Sequence, residues 1–231
     1  MKKIIKKLFF LGFISILLSV SFLYYKGYSL YLEAINETSI SEKVKEIREK
    51  TEEYTKYEEL PEDYINAVIA VEDRRFFEHK GIDLISIARA VGTDVITLSL
   101  AEGGSTITQQ LAKNTNFNQK KEFTRKIAEI FMAFEYEKEC DKETIFELYV
   151  NTMYFGDGYY SIAEASNGYF GKNVSELNLY EATLLAGIPN APSVYAPTKN
   201  PELAKQRQAQ VLKKMVKYNY ISQEEADNLL Q

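Results

Sequence analysis

The chain is poor in cysteine, histidine and proline, shows few alternating strand patterns and carries no excess of positive charge. A single cysteine, Cys140, excludes an intrachain disulfide framework and a cysteine-rich zinc site, and leaves a buried thiol as its plain role. With 28 Lys and Arg against 33 Asp and Glu the formal charge is -5, which argues against a general nucleic-acid binder; no nucleic acid is expected as a partner. Of the five prolines, four fall in "PNAPSVYAPTKNP", residues 189 to 201, which predicts an extended loop between helices. No internal repeat or low-complexity tract is present.

What the chain does have begins at its amino terminus. Lys2, Lys3, Lys6 and Lys7 precede an uncharged, mostly apolar run from Leu8 to Tyr25. At about 1.5 Å per residue this run spans roughly 27 Å, close to a bilayer core. No small-x-small cleavage site follows it, so a retained anchor is expected over a signal peptide. The flanking lysines predict a cytoplasmic tail (1–7), a transmembrane anchor (8–25) and Tyr24, Tyr25 and Tyr28 as interfacial aromatics on the far side. The stretch 26–60, rich in Glu and Lys, reads as a charged, solvated stalk. Residues 61–231 then form the expected domain.

Pro61, Glu62 and Asp63 read as a helix start. Tyr64, Val68 and Val71 recur at helical spacing after it, as do Ile65 and Ile69. "LISIARAV", "TRKIAEIFMAFEYE" and "KETIFELYVNTMYF" continue the helical period, and further helices run from about Leu203. The fold class is therefore mainly α.

Three stretches hold residues suited to chemistry. "VEDRRFFEHKGID", residues 71 to 83, ends an apolar helix in charge and contains the only histidine, His79. A carboxylate such as Glu72 at that place can be partly desolvated and suited to general-base work, with Arg74, Arg75 and His79 as neighbours to hold it. The plain alternative is a helix terminus decorated with solvated charge. In "GGSTITQQLAKN", residues 103 to 114, Thr106 and Gln109 have capping-box spacing. The helix start could bind an anion, and Gln109 and Lys113 share a face beside Gln110; a polar surface helix is the alternative. In "KKEFTRKIAE", residues 120 to 129, four cations lead into Glu129. Either this is a surface ion pair, or it is a diphosphate clamp beside a second carboxylate.

Taken together, "EDRRFFEHKG", "GGSTITQQLAKN", "RKIAE", "KETIFELYVN" and "RQAQVL" stand in the order and approximate spacing of the five motifs of the peptidoglycan glycosyltransferases, glycosyltransferase family 51. The resemblance runs from about Pro61 to the end of the chain. It implies a lysozyme-like, two-lobed helical domain that polymerises lipid II into glycan strands at the outer face of the bacterial plasma membrane. By that resemblance Glu72 is the catalytic base and Glu129 the second catalytic carboxylate. Asp73 and His79 brace the first motif; Ser105, Thr106, Gln109 and Gln110 hold substrate or order the cleft; Lys113, Lys121, Arg125 and Lys126 neutralise the diphosphate. Lys142, Glu147 and Arg207 are expected to support helices.

At Lys121 many relatives carry arginine, so the planar fork is lost there. No cofactor is firmly required, and a divalent cation, Mg or Mn, is compatible with Glu129. Cell-wall synthesis proteins are expected partners besides lipid II and the growing strand. "VITLSLAEGG" resembles the family's mobile, membrane-associated loop. Ending at Gln231, the chain resembles the monofunctional form. Two other readings fit parts of the pattern: a glycan-cleaving enzyme on a similar scaffold, and an inactive membrane-anchored scaffold.

Overall fold

A computed structural model describes residues 2–89, 104–117 and 123–230. Its elements are helical, and no strand occurs among the described residues. The first helix, α1 (Lys2–Glu37), is continuous through and beyond the apolar run. Its apolar side chains from Ile4 to Tyr25 are exposed, apart from half-buried Ile14, unlike those of a core helix, and it has the length and composition to cross a membrane.

The second half of α1 is not free. It packs on α5 (Phe123–Glu139). Gly27 sets the approach: a Cβ there would lie 2.5 Å from Ile127 Cβ and 2.8 Å from the Thr124 carbonyl oxygen. Phe131 presents its ring edge-on to Tyr24 and Tyr28, with centroids 5.8 and 5.1 Å apart. Tyr31 donates to Glu135 Oε1 at 3.1 Å, and burial together with Glu135 pushes the tyrosine up to about 12. Tyr24 and Tyr28, expected only at a bilayer surface, thus also dock the helix.

The expected solvated stalk is likewise part of the domain. Ser39 caps α2 (Ile40–Lys50) in a full capping box with Glu42. Ile40 and Ile47, seven residues apart and so on one helix face, are buried in the core. Beyond the helix, Glu147 accepts from Arg48 Nη2 (2.9 Å), Tyr54 OH (2.6 Å) and Tyr57 N (3.0 Å). Asn151 exchanges two bonds with the Thr55 backbone. Charge dominates the composition of this stretch, but two isoleucines at the right spacing decide where it goes.

The rest is a packed set of helices: α3 (Glu62–Glu72), α4 (Ile107–Asn116), α6 (Lys142–Val150), α7 (Ile162–Phe170), α8 (Leu179–Gly187), α9 (Pro201–Lys217) and α10 (Gln223–Leu230). Residues 84–89 are also helical. The apolar stripes of α2 to α9 meet in one connected core that includes Tyr64, Phe76, Leu111, Met132, Phe146, Leu185 and Met215. Helix α3 packs against both α8 and α9, and α4 against α5 and α6. The proline-rich stretch is less extended than expected. Pro192 opens a single helical turn, Pro192–Tyr195, and Pro201 opens α9, because proline at a first helical position gives up only a donor that is unpaired anyway.

Candidate active site

Helix α3 is buried along most of its length and delivers Glu72 at its last position. The next residue, Asp73, leaves helical geometry (φ -152°, ψ 78°), so the charged residues after it turn away from the helix axis. This corrects the expectation that they hold Glu72. Arg74 lies over the Tyr218 ring at 4.4 Å, Arg75 pairs with Asp83, and His79 bonds Asp73 at 2.9 Å. Glu72 is held instead by residues distant in sequence. Gln110 Nε2 donates to its Oε2 at 2.8 Å, and Arg207 Nη2 stands 3.7 Å from its Oε1.

Asp73 is buried and joins the first two motifs. One carboxylate receives His79 Nε2 and the backbone N–H of Ile107, the latter at 3.0 Å. An anion therefore does sit at the start of α4, but it is the protein's own. Thr106 caps that helix: its Oγ1 accepts from Gln109 N while Gln109 Oε1 accepts from Thr106 N, both at 3.1 Å. The same hydroxyl donates to the Gly81 carbonyl at 2.6 Å. Gly81, at φ 79°, takes a left-handed conformation that costs other residues more. Gln109 is thereby spent on the cap and is only 2 % exposed. Of the two roles expected for it, its contacts match ordering the cleft. One position on, about 100° around the helix, Gln110 faces the cleft with Lys113.

Glu129, also 2 % exposed, accepts from Arg125 Nε at 2.8 Å and Lys126 Nζ at 3.0 Å. Lys126 further donates to Ser105 Oγ at 2.6 Å. Burial lowers the pKa of Lys113 below that of an ordinary lysine; Glu129 pulls the other way, and the charges of Arg125 and Lys126 reinforce the lowering. Lys113 and Ser105 thus front the cleft, with the cluster around Glu129 adjoining them.

The cleft has a volume of about 510 Å³ and reaches from Gly104, Ser105 and Lys113 past Glu72 to Arg207, Lys214 and Tyr218. Arg207 was expected to support helices, yet it lies on this wall, donating to the Gly187 carbonyl at 3.3 Å. Its neighbours Gln210, Lys214 and Lys217 line the cleft as well and were missed. Their 3-4-3 spacing from Arg207 is a legible one-face pattern. Lys142, bonded to Glu137 at 2.7 Å, and Glu147 have structural contacts, as expected. Burial pushes the Cys140 thiol up to about 11, in keeping with a packing role. Lys121 and most of the "VITLSLAEGG" segment lie outside the described residues.

The donor set around Glu129 does not suit a divalent cation. Both of its oxygens already take cationic side chains, and among the described residues no group of three His, Cys, Asp or Glu side chains is placed to hold a metal.

The sequence profile described as Transglycosylase matches residues 37–216, which takes in α2 and residues 37–60 of the segment expected to be a stalk. Penicillin-binding protein 1A of Neisseria gonorrhoeae is 45 % identical over 182 residues, 79 % of this chain and 23 % of its own length; that of Neisseria flavescens is 40 % identical over the same shares. This chain thus spans about a quarter of the length of these relatives. A Cupriavidus necator protein named provisionally as a transglycosylase is 41 % identical over 180 residues, 78 % of each chain. A solved structure of penicillin-binding protein 1A from Haemophilus influenzae, 29 % identical, covers 54 % of this chain and 15 % of its own with a TM-score of 0.37, too low to compare architectures. The family profile, together with one relative matched over 78 % of each chain, is decisive: the chain belongs to the transglycosylase family of peptidoglycan glycosyltransferases.

Proposed function

We propose that the chain polymerises lipid II into glycan strands, with Glu72 as general base and undecaprenyl diphosphate as leaving group. The observation that carries this reading is the placement of Glu72. Gln110 fixes one of its oxygens by a hydrogen bond, the other lies beyond hydrogen-bond distance of Arg207, and the carboxylate opens on a cleft lined by cations. Glu72 takes the proton from the 4-hydroxyl of the acceptor's terminal GlcNAc. That oxygen attacks the anomeric carbon of the donor MurNAc, the bond to the diphosphate breaks on the opposite face, and an α link becomes β.

A diphosphate leaves as a stable anion, so it needs neutralisation more than the protonation that a hydrolase gives an alkoxide. Lys113 supplies that charge from the cleft wall. Lys126 and Arg125, bridged by Glu129, keep the cationic end in register, and Ser105 ties Lys126 to the loop before α4. The low pKa of Lys113 fits a cation that is poorly solvated until an anion arrives. Asp73 and His79 tie the α3 end to the start of α4, the helix that carries Lys113, and so set Glu72 relative to that cation. Lys121 is assigned to the same cationic end on the strength of the family motif.

In this reading α1 is a single-pass anchor in the bacterial plasma membrane, with its lysine-rich start in the cytoplasm and the domain on the outer face. Residues 1–7 form the tail and 8–25 the span. Lipid II and the growing strand are the substrates, and cell-wall synthesis proteins are partners. Incubating the detergent-solubilised protein with labelled lipid II and resolving products by length tests the activity. Polymer from the wild type and a severe loss of it in Glu72→Gln are expected; no polymer from the wild type with or without Mg or Mn would overturn the reading.

A further inference from the structure

The cleft carries more positive charge than a leaving group beside Lys113 would use, and the surplus stands on the other side of Glu72. The Glu72 carboxylate lies between α4, which contributes Gln110, and α9, which contributes Arg207. From Arg207 the cleft-lining face of α9 continues through Gln210, Lys214 and Lys217. At 1.5 Å per residue that stripe is about 15 Å long. Arg74 joins its far end from another part of the chain, stacked on Tyr218 at 4.4 Å.

The charges here are not balanced. The three acids on the cleft wall have other neighbours: Glu72 has Gln110 and, at 3.7 Å, Arg207; Asp73 has His79 and the Ile107 N–H; and Asp83 has Arg75 and Ser86. Arg74, Lys214 and Lys217 have no carboxylate partner among the described residues. Lys214 donates to the carbonyl of Val71 at 3.2 Å, which draws its ammonium back toward the end of α3 and into the cleft. Cations near a helix C-terminus gain from the helix dipole, and both α3 and α9 end here, but that does not account for the convergence of Arg74 (4.4 Å) and Lys217 (5.6 Å) on the single Tyr218 ring.

Resting on the polymerase reading above, we propose that Arg74, Lys214 and Lys217 form a subsite for the carboxylates of the substrate's stem peptide, with Tyr218 as its apolar floor. The ligand class follows from spacing and charge. Lys214 and Lys217 are about 4.5 Å apart along the axis of α9, which matches carboxylates one or two residues apart on an extended peptide at roughly 3.3 Å per residue. Separate ammonium groups along a helix suit carboxylates spaced along a chain, whereas a diphosphate concentrates its charge at one point. The subsite sets which stem peptide is preferred and takes no part in bond making.

The test compares two forms of lipid II that share lipid, diphosphate and sugars: one with free stem-peptide carboxylates and one with those groups converted to carboxamides. The full chain in detergent is expected to use the free-acid form with the higher kcat/KM, through KM. In the double variant Lys214→Gln, Lys217→Gln that preference is expected to fall about threefold to tenfold toward unity, the scale of two exposed ion pairs. Lys214→Arg, Lys217→Arg is expected to keep it. Equal use of both forms by the wild type, or a loss in the Gln variant that is the same for both, would overturn the subsite while leaving polymerisation intact. A wild type that polymerises neither form would overturn the function itself, and the subsite with it.

Discussion

At the scale of single residues the site depends on which groups are already bonded before substrate arrives. Glu72→Gln keeps the size of the side chain and removes the carboxylate proposed as base; on that proposal we expect polymerisation to fall by about 10²- to 10⁴-fold with unchanged thermal unfolding, as read from product gels and circular dichroism. Lys113 separates charge from stability. Its folded pKa lies below the unfolded value of about 10.4, so between the two the unfolded chain binds more protons, and stability rises with pH across that window. The charged form is thus the disfavoured one in the fold. Lys113→Met should leave Tm at neutral pH equal or higher and flatten the alkaline rise, while cutting kcat by about 10². A drop of several degrees would mean that attraction to Glu129 outweighs desolvation.

Asp83 runs the opposite way. Burial opposes its ionisation, but bonds from Ser86 and Arg75 win and bring it down to about 2. Its contribution is present above the unfolded value of about 3.9 and is lost as pH falls toward 2. It amounts to roughly 2 kcal/mol, and acid titration of Asp83→Asn should lack that loss.

Glu72 was legible in the sequence because a carboxylate ending an apolar helix is a local pattern. The partners of Glu72 were not. Gln110 and Arg207 lie 38 and 135 positions away, and only packing of α3 against α9 and the link through Asp73 to α4 brings them near. Lys214 and Lys217 were hidden for a similar reason: on an exposed helix end, lysines look like ordinary solvated charge until the cleft beside them is known.

At the scale of elements, caps and close approaches do what composition could not announce. The Thr106 box was readable from T-x-x-Q spacing, but the same hydroxyl also satisfies Gly81, which no local pattern signals. Thr106→Ala should therefore cost more than an ordinary cap of about 1 kcal/mol, and Thr106→Ser should recover most of the loss; paired denaturant titrations would show this. The contact of α1 with α5 was also invisible, since glycine in a helix reads only as weak propensity. Gly27→Leu has to move α1 away from Ile127 and Thr124, at a cost of about 1–3 kcal/mol. Hydrogen exchange should then rise in the first turns of α5, where Arg125 and Lys126 lie. Unchanged exchange there would sink the idea that the anchor helps hold that helix. The misjudged stalk belongs at this scale too: eleven residues of α2 with two buried isoleucines outweigh the charges around them.

At the scale of the whole molecule, helical class, one apolar helix and the motif order were all present in the sequence. How the parts adjoin was not, because α1 passes from exposed apolar run to docked helix without a break. That continuity makes the anchor behave like a threaded rod. Each residue added between the apolar run and Gly27 would advance the domain about 1.5 Å and rotate it by about 100°, so height above the bilayer and compass bearing of the cleft cannot be set separately. Tolerance to insertions should consequently follow phase more than length, with seven added residues, close to two full turns, disturbing activity in vesicles less than two.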